Sequence, residues 1–125
     1  MKELTRRRLL WCAATDRSFV RVERAEGVVL EGKCLHCGRK LWLRTDGEPI
    51  SRATIEHIVP RAHGGGDELE NLGIACARCN HGKGVRLDVR RADDPTVMRV
   101  TEMLEQRRRD RLREPPADWD LPPRP

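Results

Sequence analysis

Aromatic residues are almost absent from this sequence: its 125 residues include no tyrosine, one phenylalanine and three tryptophans. Hydrophobic residues make up 38% of the chain and charged residues 36%. A chain this short and polar buries little apolar surface on folding, so its hydrophobic core alone gives limited stability. We therefore expect one domain with loose ends, held together by a structural metal as well as by its core.

Long apolar segments are also missing, since no stretch approaches the roughly 18 apolar residues of a membrane-spanning helix. Near the N-terminus, a basic segment leads into a short apolar run that Asp16 and Arg17 interrupt. That run is shorter than the core of a secretory signal peptide, about 7–15 apolar residues. We expect a cytoplasmic protein with no membrane partner, in which the five cysteines stay reduced and form no disulfides.

Basic residues outnumber acidic ones by 25 to 20, which gives a net charge of +5. A basic domain favours a polyanionic partner, nucleic acid before a membrane surface. The alternative is that the arginines only form a solvated surface, and charge alone does not separate the two. The arginine-rich segment Gln106–Arg113 leaves the same two options open, DNA contact or a solvated helix face.

Four cysteines form two C-x-x-C pairs, Cys34 with Cys37 and Cys76 with Cys79. Two such pairs supply four thiolates, the usual closed tetrahedral set of a structural Zn²⁺ site. A thioredoxin-like redox pair would need one C-x-x-C motif in a βαβ context, which the sequence does not show. We therefore predict structural zinc at these four cysteines. Cys12 is interpreted as an ordinary semi-buried thiol, and His36 as a substitute ligand or a turn residue.

Glu56 and His57 stand side by side between the two cysteine pairs. His57 is a candidate general base because histidine titrates near neutral pH, and Glu56 offers a hard oxygen that suits Mg²⁺ or Mn²⁺. Adjacent strand residues face opposite sides of a sheet, so this pair needs an irregular backbone to serve one site. Asn80 follows the last cysteine and offers an amide oxygen to the same cation, while Asn71 is a candidate for pinning the loop that carries His57. Candidate phosphate contacts are Arg78, Lys83 and Arg86.

The local patterns predict both helices and strands. Residues 1–12 suit a short helix, whereas the valine-rich stretch Phe19–Leu30 leaves helix and strand open. Residues 41–43 and 53–58 are predicted to pair as a hairpin around the Asp-Gly turn of TDGEP.

The second half of the chain starts with three glycines, Gly64 to Gly66, which we interpret as a flexible turn rather than a phosphate cradle. The sequence CARCNHGKG is expected to begin a helix or to form a knuckle that leads into one. A further helix is predicted over residues 95–113, followed by a proline-rich tail that is either docked or disordered. Its apolar face is expected to hold Val97, Val100, Met103 and Leu104.

The segment EHIVPRAHGGGDELENLGIACARCNHGKG resembles the HNH endonuclease motif, in the subset with four cysteines around a ββα-metal core. The shared positions are Glu56-His57, Pro60, the glycine triplet, Asn71-Leu72, the C-x-x-C-N of Cys76 to Asn80, and Lys83-Gly84; GKCLHCG matches the upstream zinc half. The resemblance covers roughly residues 33–84. It implies that His57 is the general base, that Asn71 supports the loop, and that Glu56 and Asn80 bind the catalytic cation. Aspartate is commoner than glutamate at the position of Glu56.

These observations predict an α+β fold with a small zinc-stapled ββα-metal core, HNH and treble-clef-like. The expected divisions are an N-terminal flanking segment (1–32), the nuclease core (33–90), an Arg-rich C-terminal helix (91–114) and a Pro-rich tail (115–125). The predicted function is hydrolysis of DNA phosphodiester bonds with structural Zn²⁺ and catalytic Mg²⁺ or Mn²⁺. Specific recognition of DNA by so small a core would need a homodimer or a further partner. Two alternatives are a non-catalytic zinc-dependent nucleic-acid-binding module and a zinc-stapled protein-interaction module.

Overall fold

The computed structural model describes residues 2–50 and 52–125, which form the mixed α+β fold expected from the sequence. The helices are α1 (Lys2–Ala14), α2 (Ala77–Lys83) and α3 (Pro95–Arg111), and the strands are β1 (Val20–Arg24), β2 (Gly27–Lys33), β3 (Lys40–Arg44), β4 (Ala53–His57) and β5 (Leu72–Cys76). Short 3-10 turns lie at Arg61–His63 and Leu69–Asn71, and a π-helical turn, Gly84–Asp88, continues α2. Among these residues, none of the helices combines the length and the apolar character needed to cross a membrane.

Helix α1 confirms the predicted N-terminal helix and extends it to Ala14, although Met1 lies outside the described residues. Its apolar residues Leu9, Leu10 and Ala13 are buried in a core that also receives residues of both sheets. Cys12 joins the same core with 1% of its surface exposed, and burial raises the pKa of its thiol to about 12. The helix is therefore an integral layer of the fold.

The first sheet decides the open question about Phe19–Leu30 in favour of strands. Strands β1, β2 and β3 pair in that order, all antiparallel, with Val22 opposite Val29 and Leu30 opposite Leu43. Phe19 is fully buried just before β1, and its ring lies against the backbone of Gly32. A Cβ at position 32 would stand 2.3 Å from that ring, so glycine allows the aromatic side chain to pack there.

The predicted hairpin between residues 41–43 and 53–58 is wrong in its pairing. The Asp-Gly turn does form, and it returns the chain as far as an isolated bridge between Leu43 and Pro49. Strand β3 nevertheless pairs with β2, and β4 pairs with β5, with Ile55 opposite Ile74. All five residues of β5 are buried, and β4 supplies the hydrogen-bonded partner that a buried strand needs.

Strands β4 and β5 followed by α2 form the ββα unit that the sequence predicts. Helix α2 begins directly after Cys76, whose sulfur accepts a hydrogen bond from the Cys79 backbone N–H. Strand β5 pairs with β4 and leads directly into α2, and Asn80 of α2 donates a hydrogen bond back to the Ile55 carbonyl of β4. This arrangement brings the two halves of the motif together.

Helix α3 begins at Pro95 as predicted and ends two residues before the predicted boundary. Asp94 caps it by accepting hydrogen bonds from the backbone N–H groups of Thr96 and Val97. Val97 and Leu104 are buried on the expected face, but Met103 is 41% exposed, so its placement on that face is wrong. The buried stripe of this helix is narrow, so a spacing of 3 and 4 residues includes positions at its edge that remain exposed.

Several arginines of the segment Gln106–Arg113 point into the protein. Arg108 is 1% exposed and donates hydrogen bonds to the Leu69 carbonyl and to the hydroxyl and carbonyl of Thr15. Arg113 donates in the same way to the carbonyls of Ala13 and Phe19. These guanidinium groups hold α3 to the rest of the fold, so neither a DNA-binding face nor a solvated face describes the whole segment.

The Pro-rich tail lies on the protein surface against α1. Trp119 and Leu121 pack on the core, and the indole N–H of Trp11 donates to the Pro122 carbonyl at 2.9 Å. The guanidinium groups of Arg113 and Arg124 lie over the rings of Trp119 and Trp11. Of the two options open to a proline-rich tail, docked or disordered, the structure shows the docked one.

Candidate active site and zinc site

The four predicted zinc ligands meet at one point. The sulfur atoms of Cys34, Cys37, Cys76 and Cys79 all lie within 4.8 Å of one another. The first two come from a tight turn after β2, and the other two from the junction of β5 and α2. The backbone N–H of Cys76 donates to the sulfur of Cys34 at 3.3 Å, a contact that favours a thiolate.

The chemistry of this donor set fits Zn²⁺. Burial raises the pKa of Cys34, and burial together with the neighbouring sulfurs raises that of Cys79 to about 12. The backbone N–H of Arg39 lowers the pKa of Cys37 to about 7. Four thiolates this close repel one another unless a cation lies among them, and tetrahedral zinc is the usual ion for four sulfur ligands.

His57 is the last residue of β4, and its side chain is 20% exposed. Its Nε2 lies 2.7 Å from Oδ1 of Asp67, a residue of the loop between β4 and β5. That carboxylate is also held by Arg61 at 3.1 Å and by Arg8 of α1 at 3.2 Å. The contact with His57 and then that with Arg61 lower the pKa of Asp67, so this group is ionised at neutral pH.

A cleft of about 530 Å³ opens beside His57. Its lining comes from α1, β4, the following loop and the α2 region, and consists of Leu4, Thr5, Arg8, Ile55, His57, Pro60, Arg61, Asn80 and Asp88. Another cavity, of about 560 Å³, lies between α1 and the tail, but none of the predicted site residues lines it. The predicted site residues His57 and Asn80 therefore line the smaller of the two cavities.

Asn80 reaches this cleft from the first turns of α2. Its Nδ2 donates to the Thr54 hydroxyl at 3.0 Å and to the Ile55 carbonyl at 2.8 Å, which ties the helix to β4. Both hydrogen bonds use the nitrogen, so Oδ1 is the atom with which this side chain can bind a cation. The structure thus brings Asn80 and His57 to one opening.

Glu56 is separated from that opening. The register of β4 with β5 is regular through His57, so Glu56 projects from the opposite face, where it is fully buried. Its Oε1 lies 3.2 Å from the Lys83 ammonium and 3.3 Å from Nε2 of His36. These distances are those of ion pairs, but within the described chain neither carboxylate oxygen accepts an aligned hydrogen bond.

Lys83 is 4% exposed and does not present its charge to a substrate, contrary to its prediction as a phosphate contact. Its ammonium contacts Glu56 and also lies 3.0 Å from Oδ1 of Asp88 and 3.2 Å from the His57 carbonyl. The two neighbouring carboxylates draw the lysine inward, since a buried charge needs a charged or hydrogen-bonding partner. The other two predicted phosphate contacts, Arg78 and Arg86, are exposed.

Asn71 connects the two ends of the loop after β4. Its side chain accepts from the backbone N–H of Val59 at 2.9 Å and donates to the carbonyls of Val59 and Gly66 at 3.0 and 2.8 Å. Gly65 is packed against the same place, because a Cβ there would stand 1.7 Å from the Val59 carbonyl oxygen. The glycine triplet therefore allows close packing of the backbone, beyond the flexible turn that we expected.

Asp67, Arg61, Arg8 and Asp88 were not among the predicted site residues. Asp67 and Arg61 lie in the loop that the motif spans, where a charged side chain has no distinguishing spacing. Arg8 comes from α1, far away in sequence, and its contact with the loop depends on how that helix packs. Asp88 follows α2 in a charged segment without a recognisable pattern.

Comparison with known proteins supports the resemblance seen in the sequence. Residues 34–86 match the family model described as HNH endonuclease. This stretch includes both cysteine pairs, the β4–β5 hairpin, α2 and the part of the π-helical turn up to Arg86. No curated protein and no solved structure is similar enough to the chain to count as a match. An HNH domain indicates a nuclease in general terms and a nucleic acid as substrate.

Proposed function

We propose that this chain, which carries an HNH endonuclease domain at residues 34–86, is a metal-dependent enzyme that hydrolyses the phosphodiester bonds of DNA. The observation that supports this most is that one cleft is lined both by His57, at the end of β4, and by Asn80, in α2. These side chains offer a candidate base and a candidate oxygen ligand for a cation. The net charge of +5 and the exposed Arg78 and Arg86 favour a polyanionic substrate.

His57 is the proposed general base. It takes a proton from a water molecule, and the resulting hydroxide attacks the phosphorus in line with the 3′-oxygen. The bond from phosphorus to that oxygen breaks, which leaves 5′-phosphate and 3′-hydroxyl ends. Asn71 keeps the loop after His57 closed through its hydrogen bonds to the Val59 and Gly66 carbonyls. The groups that surround the His57 imidazole are therefore held in place.

Zn²⁺ at the four cysteines is proposed to be structural. Four protein sulfurs would fill all positions of a tetrahedral ion and would leave none for a substrate or a water. The ion would add cohesion to a chain with few core residues. It would also fix the start of α2, and hence Asn80, which follows Cys79 directly.

The proposed ligands of the catalytic Mg²⁺ or Mn²⁺ are Asn80 and Glu56. Since the register of β4 puts Glu56 on the face opposite the cleft, its carboxylate has to leave Lys83 and turn towards Asn80 for both residues to hold one ion. A divalent cation, when bound, neutralises charge on the scissile phosphate and on the departing oxygen. Asn80 fits because its Oδ1 is not used by the hydrogen bonds to Thr54 and Ile55. Glu56 fits a cation for a different reason. Its carboxylate is buried and neither oxygen accepts an aligned hydrogen bond, so a cation or a water would supply the missing partner. Asp88 adds a carboxylate at the cleft itself.

One observation favours a second candidate, a non-catalytic zinc-dependent nucleic-acid-binding module. Lys83 pairs with Glu56 and Asp88, so the ammonium occupies both carboxylates that could serve a divalent ion. A module of this kind keeps the zinc site and the exposed arginines and binds nucleic acid without cleaving it. In either case, sequence-specific recognition is predicted to need a homodimer or a partner protein.

Nicking of supercoiled plasmid with added Mg²⁺ or Mn²⁺ tests the proposal. The zinc-loaded wild type is compared with His57→Ala and with His81→Ala, which removes an exposed histidine that does not line the cleft. We expect cleavage by the wild type and by His81→Ala, and a loss of about 100-fold or more in His57→Ala at unchanged zinc content. DNA binding without cleavage by the wild type would support the binding module instead. Equal cleavage by all three would show that His57 is not the base.

A further inference from the structure

The contact between His57 and Asp67 assigns a tautomer to the histidine. The carboxylate of Asp67 is ionised and therefore only accepts hydrogen bonds. At 2.7 Å from Asp67, Nε2 of His57 must carry the proton that is shared in this contact. In a neutral imidazole the other nitrogen then holds the lone pair, so Nδ1 is the atom that can accept a proton.

The carboxylate is itself held from two further sides. Arg61, six residues earlier in the same loop, donates to Oδ1 at 3.1 Å. Arg8, on α1, pairs with Oδ2 at 3.2 Å and is only 18% exposed in its side chain. The residue before Asp67 is fixed as well, because Asn71 donates to the Gly66 carbonyl. Both the backbone and the two oxygens of Asp67 are therefore set relative to the histidine ring.

We propose that Asp67 is a positioning residue for His57, held in place by Arg8 and Arg61, and that it keeps the base in the tautomer with the proton on Nε2. The inference rests on the proposed nuclease function and extends it to residues outside the shared motif positions. Arg8 also lies outside the stretch matched by the family model, so α1 belongs to the active site.

The proton balance of the step then has a definite form. Nδ1 of His57 takes one proton from water while the hydroxide oxygen bonds to phosphorus. The 3′-oxygen leaves with the electron pair of the broken bond and receives a proton from solvent. The imidazolium formed on the way has its positive charge next to the Asp67 carboxylate, which stabilises it, and it returns its extra proton to solvent.

Replacement of Asp67 by asparagine tests the tautomer without removing the side chain. Nε2 of His57 and Arg61 share Oδ1, whereas Arg8 pairs with Oδ2, so an amide oxygen held by Arg8 turns the new NH₂ group towards Nε2. Nε2 must then accept, and the ring proton moves to Nδ1. We expect the ¹⁵N spectrum of the zinc-loaded protein, at a pH where the ring is neutral, to show the Nε2–H form in the wild type and a shift towards Nδ1–H in Asp67→Asn. The kcat for plasmid nicking should fall by about 100-fold or more, with a smaller change in KM.

Asp93→Asn is the matched control, since Asp93 forms a two-bond pair with Arg91 on the surface, away from the cleft. It should leave both the His57 spectrum and kcat unchanged. An Nδ1–H tautomer in the wild type would overturn the inference even if the wild type cleaves DNA, and so would an unchanged kcat in both Asp67→Asn and Asp67→Ala, the second of which removes the acceptor altogether. A wild type that does not cleave but shows the Nε2–H form, lost in Asp67→Asn, would refute the nuclease and uphold the positioning contact.

Discussion

The buried pair of Lys83 and Glu56 makes a quantitative prediction about stability. The ammonium and the carboxylate are 3.2 Å apart, and their side chains are 5% and 0% exposed. With an effective dielectric constant of about 20, two unit charges at that distance attract by about 5 kcal/mol. Desolvation offsets most of this attraction, but removal of one partner leaves an uncompensated buried charge, at a cost of about 3–5 kcal/mol.

Three variants separate these contributions. Lys83→Met leaves the buried Glu56 carboxylate without its cationic partner and also removes a partner of Asp88, so we expect the free energy of unfolding to fall by about 3–5 kcal/mol. Glu56→Gln is expected to cost less, because Lys83 keeps Asp88 and the His57 carbonyl. The double variant should be more stable than the sum of the single effects allows, by about 1–3 kcal/mol.

Urea unfolding of the zinc-loaded proteins, followed by far-ultraviolet circular dichroism, measures this coupling. The control cycle uses Arg91→Met and Asp93→Asn, an exposed pair whose coupling should stay below about 1 kcal/mol. A coupling of less than about 0.5 kcal/mol between Lys83 and Glu56 would refute the pairing. The same variants test the cation site: if Glu56 binds Mg²⁺, the ion should raise the unfolding free energy of the wild type and not of Glu56→Gln.

Three further predictions concern the loop, the core thiol and α3. Gly65→Ala should lower the free energy of unfolding, measured in urea, by about 1–3 kcal/mol because its Cβ clashes with the Val59 carbonyl. Gly82→Ala, in α2, where a Cβ has more room, should be neutral or slightly stabilising. Equal effects of the two substitutions would contradict the packing argument. Cys12 should stay unmodified when the zinc-loaded protein is treated with a thiol reagent near neutral pH and analysed by mass spectrometry, because burial raises its pKa to about 12; rapid labelling would show that the core opens. The backbone N–H of Thr96 lowers the pKa of Asp94 below its usual 3.8, so the stabilisation from this cap is present above that value and is lost as the pH falls through the lowered pKa. The Tm difference between the wild type and Asp94→Ala should therefore shrink in acid, and a pH-independent difference would refute the charge effect.

Features that depend on nearby residues could be predicted from the sequence. The two C-x-x-C pairs fix sulfur positions within one turn each, so the quartet of Cys34, Cys37, Cys76 and Cys79 followed from spacing alone. The start of α3 followed from Asp94 and Pro95, whose side chains act within the first turn. The class of the fold followed from the same local patterns and from the family resemblance.

Features that depend on distant contacts could not be predicted in this way. The Asp-Gly turn formed, yet it did not decide the partner of β4, because strand pairing is set by which apolar faces are buried together. Lys83 and Arg108 carry charges that sequence analysis assigns to the surface by default. Both are buried because oxygens of other segments contact them: Glu56, together with the nearby Asp88, contacts Lys83, and Leu69 and Thr15 contact Arg108.

The segments outside the family match contribute directly to the candidate site, and this changes how the chain is divided. Helix α1 lines the cleft and holds Asp67 through Arg8, while it packs on β5 through the shared core. Helix α3 donates from Arg107 to the carbonyl of Leu35, which lies between the first pair of zinc ligands. The boundaries expected at residues 32 and 91 therefore cross a continuous core. Asp67, the partner of His57, and the turn that carries Cys34 and Cys37 each contact a neighbour from another segment. The proposed nuclease activity is therefore a property of the whole fold and not of the matched stretch alone.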